Sequence, residues 1–203
     1  MTGQLKLVVG IGNPGDQYKD TRHNAGVWFV ERLAAETGGT FKEEKKFFGR
    51  VALVNYQGSD LRLLLPNTYM NESGKSVGAC ASFYKTAPEH ILIAHDELDL
   101  PTGVIRFKQG GGLAGHNGLR DIARSLSGSQ EFNRVRIGVG HPGQKEAVTG
   151  HVLGKASAND KDILQQCIAE ALACLPMAMN GEWDKAMNRL HNFRLDKETP
   201  DGI

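Results

Sequence analysis

Four short polar segments hold the side chains that are best suited to chemistry. Each combines histidine, aspartate or asparagine with glycine or proline, the residues that favour turns and loops. A neutral histidine is a natural general base near neutral pH, and an aspartate can fix its tautomer. An asparagine amide can orient a polar substrate. These residue types indicate acid–base catalysis, and the segments are residues 13–24, 66–71, 95–99 and 110–118.

Each of these side chains also has a purely structural interpretation. Asn13 and Asn71 are typical of turns or helix caps, and Asp96 is typical of a capped turn. His23 and His116 are equally typical of the surface beside a helix. His23, Asp96 and His116 could together bind a metal, but their spacing matches no established ligand pattern, so we expect no metal. Taken singly, each structural interpretation is favoured over the functional one.

Two glycine motifs suggest nucleotide binding and are not expected to provide it. The run Gly10–Gly15 matches G-x-G-x-x-G, but the residues after it have no helical pattern and no acidic residue follows a strand about 20 positions on. Gly74-Lys75-Ser76 resembles the end of a P-loop, yet Tyr69 stands where that motif needs glycine. H-E-x-x-H is absent, and we expect neither a zincin nor a serine-hydrolase mechanism. A nucleotide-dependent oxidoreductase is therefore an alternative with little support.

The elements that position these segments alternate between strand and helix. Apolar runs predict strands, and apolar residues at helical spacing predict helices, of which the last two form a helical C-terminal part opened by a cap at Ser157. This alternation predicts an α/β fold, a mixed twisted sheet flanked by helices, with ligands at the carboxyl ends of the strands. The predicted strands are 6–9, 48–56, 61–65, 91–94, 104–108 and 135–139, and the predicted helices are 24–37, 77–84, 119–126, 164–175 and 183–190.

Length and composition predict a single domain over residues 1–203, with a polar tail at 196–203. The hydrophobic fraction is 40% and the charged fraction 23%, which excludes disordered and fibrous classes. We expect a cytoplasmic protein, because no apolar run could span a membrane and the N-terminus does not resemble a signal peptide. The three cysteines favour reduced, buried thiols. The net charge of +1 excludes a globally basic nucleic-acid binder but not a local basic patch.

From about Lys6 to Phe193, the chain resembles the bacterial-type peptidyl-tRNA hydrolases. Several ordered segments carry the resemblance, and together they are far more specific than one glycine motif. It implies a monomeric enzyme without cofactor that cleaves the ester between a peptide and the 3′-terminal ribose of tRNA. The segments are GIGNPG with Tyr18 and TRHNAG, PNTYMNESG, HDELDLP, GGGLAGHNGL and RVRIGVG.

The resemblance also implies roles for individual residues. His23 would be the base that activates water, and Asp96 would be its orienting carboxylate. Asn13 would recognise the blocked, peptide-like part of the substrate. Other residues would hold substrate and water or line the site: Tyr18, Tyr69, Met70, Asn71, His116 and Asn117. A non-catalytic RNA-binding module with the same fold is the alternative, and it would not need His23.

Basic residues are concentrated between Pro101 and Lys155, where eight Lys/Arg face three acidic residues. Arg106 and Lys108 alternate along one predicted strand, and Arg134 and Arg136 along another, so each pair shares a face. Two such pairs could clamp phosphate groups of the acceptor stem. We therefore expect peptidyl-tRNA as partner, bound in part by Arg106, Lys108 and Arg136, and neither a membrane nor an obligate protein partner.

Overall fold

A computed structural model describes residues 4–195 of the chain, and its centre is a seven-stranded sheet. The strands lie in the order β2-β3-β4-β1-β5-β7-β6. The four central strands are parallel, while the β2–β3, β3–β4 and β6–β7 pairs are antiparallel. The bounds are β1 Leu7–Gly10, β2 Lys42–Glu44, β3 Gly49–Tyr56, β4 Ser59–Pro66, β5 Ile91–Glu97, β6 Ile105–Gln109 and β7 Asn133–Gly138.

Helices cover both faces of this sheet. One face packs on α1, α5 and α6 through residues such as Phe29, Ile168 and Trp183, and the other packs on α2 and α3 through Val77 and Ile122. Burial of both faces explains the nearly unbroken apolar runs of the parallel strands. The fold confirms the predicted mixed α/β class and the helical C-terminal part. The helices are α1 Ala25–Thr37, α2 Ser73–Phe83, α3 Asn117–Ser125, α4 Val148–Leu153, α5 Ala158–Met179 and α6 Trp183–Asn192.

The largest departure from the sequence-based elements is the length of β5. The sequence predicted a strand that ends at Ala94 and a polar loop after it, but β5 continues through His95, Asp96 and Glu97. All three are buried. Asp96 and Glu97 have hydrogen-bond partners from distant segments, which a local pattern does not reveal. His95 instead donates from Nδ1 to the adjacent Asp96 carbonyl at 2.7 Å, and its Nε2 has no partner among the described residues.

Other departures follow from local chemistry. The hairpin between β3 and β4 has a two-residue turn, Gln57-Gly58, with φ of 53° and 78°, instead of the four-residue turn that we predicted. Two positive φ angles give the turn that fits the twist of a hairpin. Strand β2 was missed because its residues, Lys42–Glu44, are all charged. Helix α4 was missed because its six residues are too few to show a period.

Close packing of α1 on the centre of the sheet brings its first turn to the end of β5. A Cβ atom on Gly26 would overlap the carbonyl of Ala94, and one on Gly10 would overlap the carbonyl of Gly26. Only glycine permits this approach of helix to strand. Within residues 4–195, no helix is long and apolar enough to cross a membrane. The predicted tail at 196–203 lies outside the described residues.

Candidate active site

The predicted polar segments meet at the carboxyl edge of the sheet, around a cavity of about 400 Å³. The loop after β1 supplies Asn13, a short 3₁₀ turn before α1 supplies His23, and the end of β5 supplies Asp96. This is the edge at which α/β sheets bind ligands. The cavity lining includes most of the predicted site residues: Asn13, His23, Tyr69, Met70, Asn71, Asp96, His116 and Asn117.

His23 and Asp96 form a hydrogen-bonded pair at the base of the cavity. His23 Nδ1 lies 3.0 Å from both carboxylate oxygens of Asp96. A carboxylate only accepts, so Nδ1 carries the proton and Nε2 is left with a free lone pair. Burial lowers the pKa of His23, but the charge of Asp96 and this hydrogen bond outweigh it and raise the pKa above its usual value. The pair has the geometry of a base and its orienting carboxylate.

His116 provides a second hydrogen bond to Asp96. It caps α3, where its Nδ1 accepts a hydrogen bond from the Leu119 N–H at 3.4 Å, and this directs the Nε2 proton to Asp96 Oδ1 at 3.1 Å. Burial would raise the pKa of Asp96, but the charge of His23 and the hydrogen bonds from His116 and His23 hold it well below its usual range. Asp96 therefore stays ionised while only 2% of its surface is exposed.

The same three residues are close enough to hold a metal ion. One nitrogen of His23, one of His116 and one oxygen of Asp96 all lie within 4.8 Å of one another. In the arrangement just described, each of those nitrogens carries a proton that it donates to Asp96. A metal would have to displace both protons.

Hydrogen bonds fix both the side-chain oxygen and the backbone of Asn13. Its Oδ1 accepts from the Met70 N–H at 2.8 Å. Asn24 holds its backbone, accepting from the Asn13 N–H at 2.8 Å and donating to the Asn13 carbonyl at 3.0 Å. The amide Nδ2 of Asn13 therefore remains as the donor available to a ligand. Sequence reasoning did not assign a role to the buried Asn24, although it follows His23 directly.

The structure places the predicted tyrosines at the rim. Tyr69 is 52% exposed and lines the cavity. Tyr18 does not line it, but its ring meets that of Tyr69 edge to face at 6.4 Å. Asn71 and Asn117 lie beside the cavity in the first turns of their helical segments, and Met70 is buried in its wall.

Helix α4 closes one side of the cavity with Val148, Thr149, Val152 and Leu153, which sequence reasoning missed. Arg22 attaches this helix to the turn that carries His23. The Arg22 guanidinium donates to the carbonyl of His151 in the last turn of α4 at 3.4 Å. It also donates to the carbonyl of Lys155 at 3.0 Å and pairs with Asp160 at 3.3 Å. An arginine at a helix C-terminus satisfies carbonyls that the helix leaves free.

The basic residues lie apart from the cavity, on β6 and β7. Arg106 stands opposite Arg136, and Lys108 stands opposite Arg134, so all four share a face. The expected second pair is nevertheless incomplete, because Arg134 is buried and donates to the carbonyls of Gly110, Gly111 and Gly112. It fixes the glycine loop and is not free to bind phosphate.

The other basic side chains are more accessible. Arg136 Nε pairs with Glu97 at 2.9 Å, and Glu97 also lines the cavity. Lys108 Nζ lies 3.5 Å from the Gly112 carbonyl. Burial, followed by the charges of Arg134 and Arg136, lowers the pKa of Lys108. Alternation along a strand does not distinguish the buried Arg134 from Arg136, because both lie on the same face.

The glycine motifs do not form the sites that their patterns suggest. Helix α1 begins at Ala25, well after Gly15, so no helix N-terminus follows the Gly10–Gly15 run. Gly74–Gly78 has the G-x-S-x-G spacing of a serine nucleophile elbow, which the sequence reasoning overlooked. Ser76 lies inside α2, is fully buried and donates to the Phe47 carbonyl at 2.6 Å. It is a structural hydroxyl.

Comparison with known proteins identifies the family. The family profile described as Peptidyl-tRNA hydrolase matches residues 7–198. The chain is 51% identical to the peptidyl-tRNA hydrolase of Aeromonas hydrophila over 97% of this chain and 100% of that protein. It is 55% identical to the one from Edwardsiella ictaluri, over 94% and 97% of the two chains.

Solved structures agree. The crystal structure of peptidyl-tRNA hydrolase from Acinetobacter baumannii superimposes with a TM-score of 0.90 at 52% identity, covering 94% of this chain and 96% of that one. A complex of peptidyl-tRNA hydrolase with N-propanol superimposes with a TM-score of 0.91 over the same shares. The chain belongs to the peptidyl-tRNA hydrolase family of enzymes, whose function is the hydrolysis of peptidyl-tRNA.

Proposed function

We propose that the enzyme cleaves the ester between the peptide and the 3′-terminal ribose by direct attack of water, with His23 as general base. The observation that carries the proposal is the 3.0 Å hydrogen bond from His23 Nδ1 to Asp96, because it leaves Nε2 of this cavity-lining histidine unprotonated. General-base catalysis contributes roughly 10²–10⁴-fold. An ester needs no stronger nucleophile, since its leaving group is an alkoxide that takes up a proton readily.

The proton passes through His23 in both halves of the reaction. Water forms the new C–O bond to the ester carbon while His23 Nε2 takes its proton, and Asp96 stabilises the imidazolium. The tetrahedral intermediate then breaks its bond to the ribose 3′ oxygen, which receives the proton from His23. The products are the free carboxylic acid of the peptide and the 3′-hydroxyl of tRNA. Release of tRNA from stalled peptides would support translation by recycling it.

Amide groups around the cavity orient the substrate in this scheme. Asn71 and Asn117 line the cavity in the first turns of two helical segments, and their side-chain N–H₂ groups are donors for the ester oxygen or the attacking water. Such donors are worth a few kcal/mol when they stabilise the developing oxyanion. Asn13 Nδ2 donates to the carbonyl of the acylated amine. A free ammonium offers that donor no acceptor, so unblocked aminoacyl-tRNA binds poorly.

The tRNA lies across β6 and β7 in this proposal. One face of these strands carries Lys108, Arg136 and Arg106. Arg136 pairs with Glu97, which lines the cavity, so this face adjoins the site. Phosphate contacts of this kind add salt-dependent affinity without reading bases. Arg134 contributes indirectly, because it holds the glycine loop that leads to His116 and Asn117.

The protein acts as a monomer in the cytoplasm, without cofactor. The groups that the proposed reaction uses, His23, Asp96 and Asn13, lie around one cavity of a single protomer, so the proposed chemistry calls on no residue of a second copy. Peptidyl-tRNA arises during translation, which places the substrate in the same compartment.

The experiment that tests this function compares N-acetyl-aminoacyl-tRNA with unblocked aminoacyl-tRNA and follows release of tRNA. We expect rapid hydrolysis of the blocked substrate only. Treatment with a chelator leaves the rate unchanged if His23 acts as base. Equal cleavage of both substrates contradicts the role of Asn13, and a chelator-induced loss that zinc restores supports a metal at His23, Asp96 and His116 instead.

A further inference from the structure

A second cavity, of about 480 Å³, lies next to the first at the carboxyl edge of the sheet. Asn13 lines both cavities, whereas neither His23 nor Asp96 lines the second. One side of it is formed by α1, where Val27 and Glu31 follow one face of the helix. The second cavity therefore adjoins the site at Asn13 but is separate from its acid–base groups.

The order of the strands places the second cavity and the basic side chains on opposite sides of Asp96. The basic side chains lie on β6 and β7 at one side of the sheet, and Asp96 lies on β5 near the middle. The second cavity is formed by the loop after β1, by the end of β4 and by Arg50 of β3, on the other side of Asp96. A substrate whose phosphates lie on β6 and β7 and whose ester lies at His23 therefore has its remaining part directed to the second cavity.

The first cavity has too little room for the whole substrate. Its volume of about 400 Å³ is near the lower end of the range for small-molecule sites, which suits a terminal nucleoside and one amino-acid residue. Residues further along the peptide must leave it. Because Asn13 is the proposed contact of the first acylated amine and also lines the second cavity, the peptide leaves the first cavity beside Asn13.

The lining of the second cavity suits a peptide of variable sequence. It combines two acidic residues, Asp16 and Glu31, with two basic residues, Lys19 and Arg50. Arg50 and Glu31 lie 3.9 Å apart, and both side chains are largely exposed. Flexible charges of both signs can contact acidic or basic side chains without a fixed specificity pocket.

We propose that this second cavity binds the peptide residues immediately upstream of the residue esterified to tRNA. The proposal rests on the proposed function, since it takes His23 as the position of the ester. An extended chain advances about 3.3 Å per residue, so roughly three residues reach about 10 Å beyond Asn13. The N-acetyl group of a minimal substrate ends near Asn13 and does not enter it.

Charge reversal in the second cavity tests the proposal. The substrates are two tetrapeptidyl-tRNAs that differ only in carrying Lys or Asp two residues upstream of the ester, with N-acetyl-aminoacyl-tRNA as the short substrate. We expect Arg50→Glu and Lys19→Glu each to raise the ratio of kcat/KM for the Lys peptide over the Asp peptide by about fivefold. Glu31→Lys lowers the ratio, and all three variants cleave the short substrate normally.

Lys6→Glu is the matched control. It has the same change of charge, but Lys6 is exposed and precedes β1 at the opposite edge of the sheet, so the ratio stays at its wild-type value. An unchanged ratio in Arg50→Glu and Lys19→Glu overturns the proposal. It is also overturned if these variants raise KM equally for short and long substrates with a salt dependence, because RNA then occupies the cavity. Failure of the proposed function is distinct, since His23→Ala would then keep its turnover on the short substrate.

Discussion

Replacing Asp96 by asparagine perturbs the centre of the site while leaving its shape nearly intact. Asp96 accepts hydrogen bonds from two histidines, His23 and His116. Because His23 Nδ1 lies 3.0 Å from both carboxylate oxygens, either placement of the asparagine amide puts its N–H₂ group beside Nδ1, and that group cannot accept the Nδ1 proton. The ring must then place its proton on Nε2, which is the tautomer that cannot accept a proton from water.

The magnitude follows from the lost charge. The imidazolium that forms on His23 has its charge centre roughly 4 Å from the carboxylate, and a unit charge there is worth about 4 kcal/mol at an effective dielectric of about 20. At about 1.4 kcal/mol per factor of ten, kcat falls by about 10³-fold. The pKa of His23 also falls, because burial lowers it and the charge of Asp96 no longer opposes that effect.

The assay is kcat for N-acetyl-aminoacyl-tRNA as a function of pH. In the wild type, kcat rises as His23 loses its proton, with a midpoint above the usual value of about 6.5 because its pKa is raised. Asp96→Asn lowers both the plateau and the midpoint. Asp99→Asn is the matched control, since this exposed aspartate lies just after β5. A normal plateau with an unchanged midpoint in Asp96→Asn would refute the pairing with His23.

Three further predictions address other parts of the molecule. Lys108→Ala raises KM several-fold for full-length tRNA substrates, and it flattens the slope of the logarithm of the tRNA binding constant against log salt by about one unit or less. The KM of a short peptidyl-nucleotide is unaffected, and equal effects on both substrates would place Lys108 in the active site or the fold. Asn13→Asp cleaves blocked substrates more slowly and discriminates less against a free amine, which competition between the two substrates measures; undiminished discrimination contradicts its role. Burial lowers the pKa of His95 to about 3, whereas the same side chain in the unfolded protein takes up a proton near pH 6.5. The folded state therefore loses stability as pH falls below about 6.5, at about 1.4 kcal/mol per pH unit. Urea titrations from pH 6 to 4 measure the free energy of unfolding at each pH. His95→Gln makes this free energy fall less steeply with decreasing pH, and a pH dependence equal to that of the wild type contradicts the burial argument.

The sequence predicts the place of the site better than its internal contacts. Alternating strands and helices put His23 and Asp96 at one edge of a sheet, because parallel strands share a carboxyl edge. The pairing of His116 with Asp96 does not follow from spacing, since the two residues lie on different elements and meet only when α3 packs on the sheet.

Burial of polar groups is the main reason why other details were missed. Arg134 and Arg136 have the same position in the strand pattern, but only Arg134 is covered by the glycine loop. β5 extends to Glu97 because partners from other segments satisfy Asp96 and Glu97, as His116 does for Asp96 and Arg136 does for Glu97. Ser76 matches a nucleophile motif and is inaccessible inside α2.

His23 is the base in the proposed reaction, and the kcat of His23→Ala shows whether the enzyme depends on it. The substrate is N-acetyl-aminoacyl-tRNA, and unfolding and tRNA affinity are measured on the same protein. His90→Ala is the control, because His90 lies at the amino end of β5, away from the cavity. We expect His23→Ala to lose about 10²–10⁴-fold in kcat while its fold and tRNA affinity stay near normal. Near-normal turnover by His23→Ala would exclude His23 as the base.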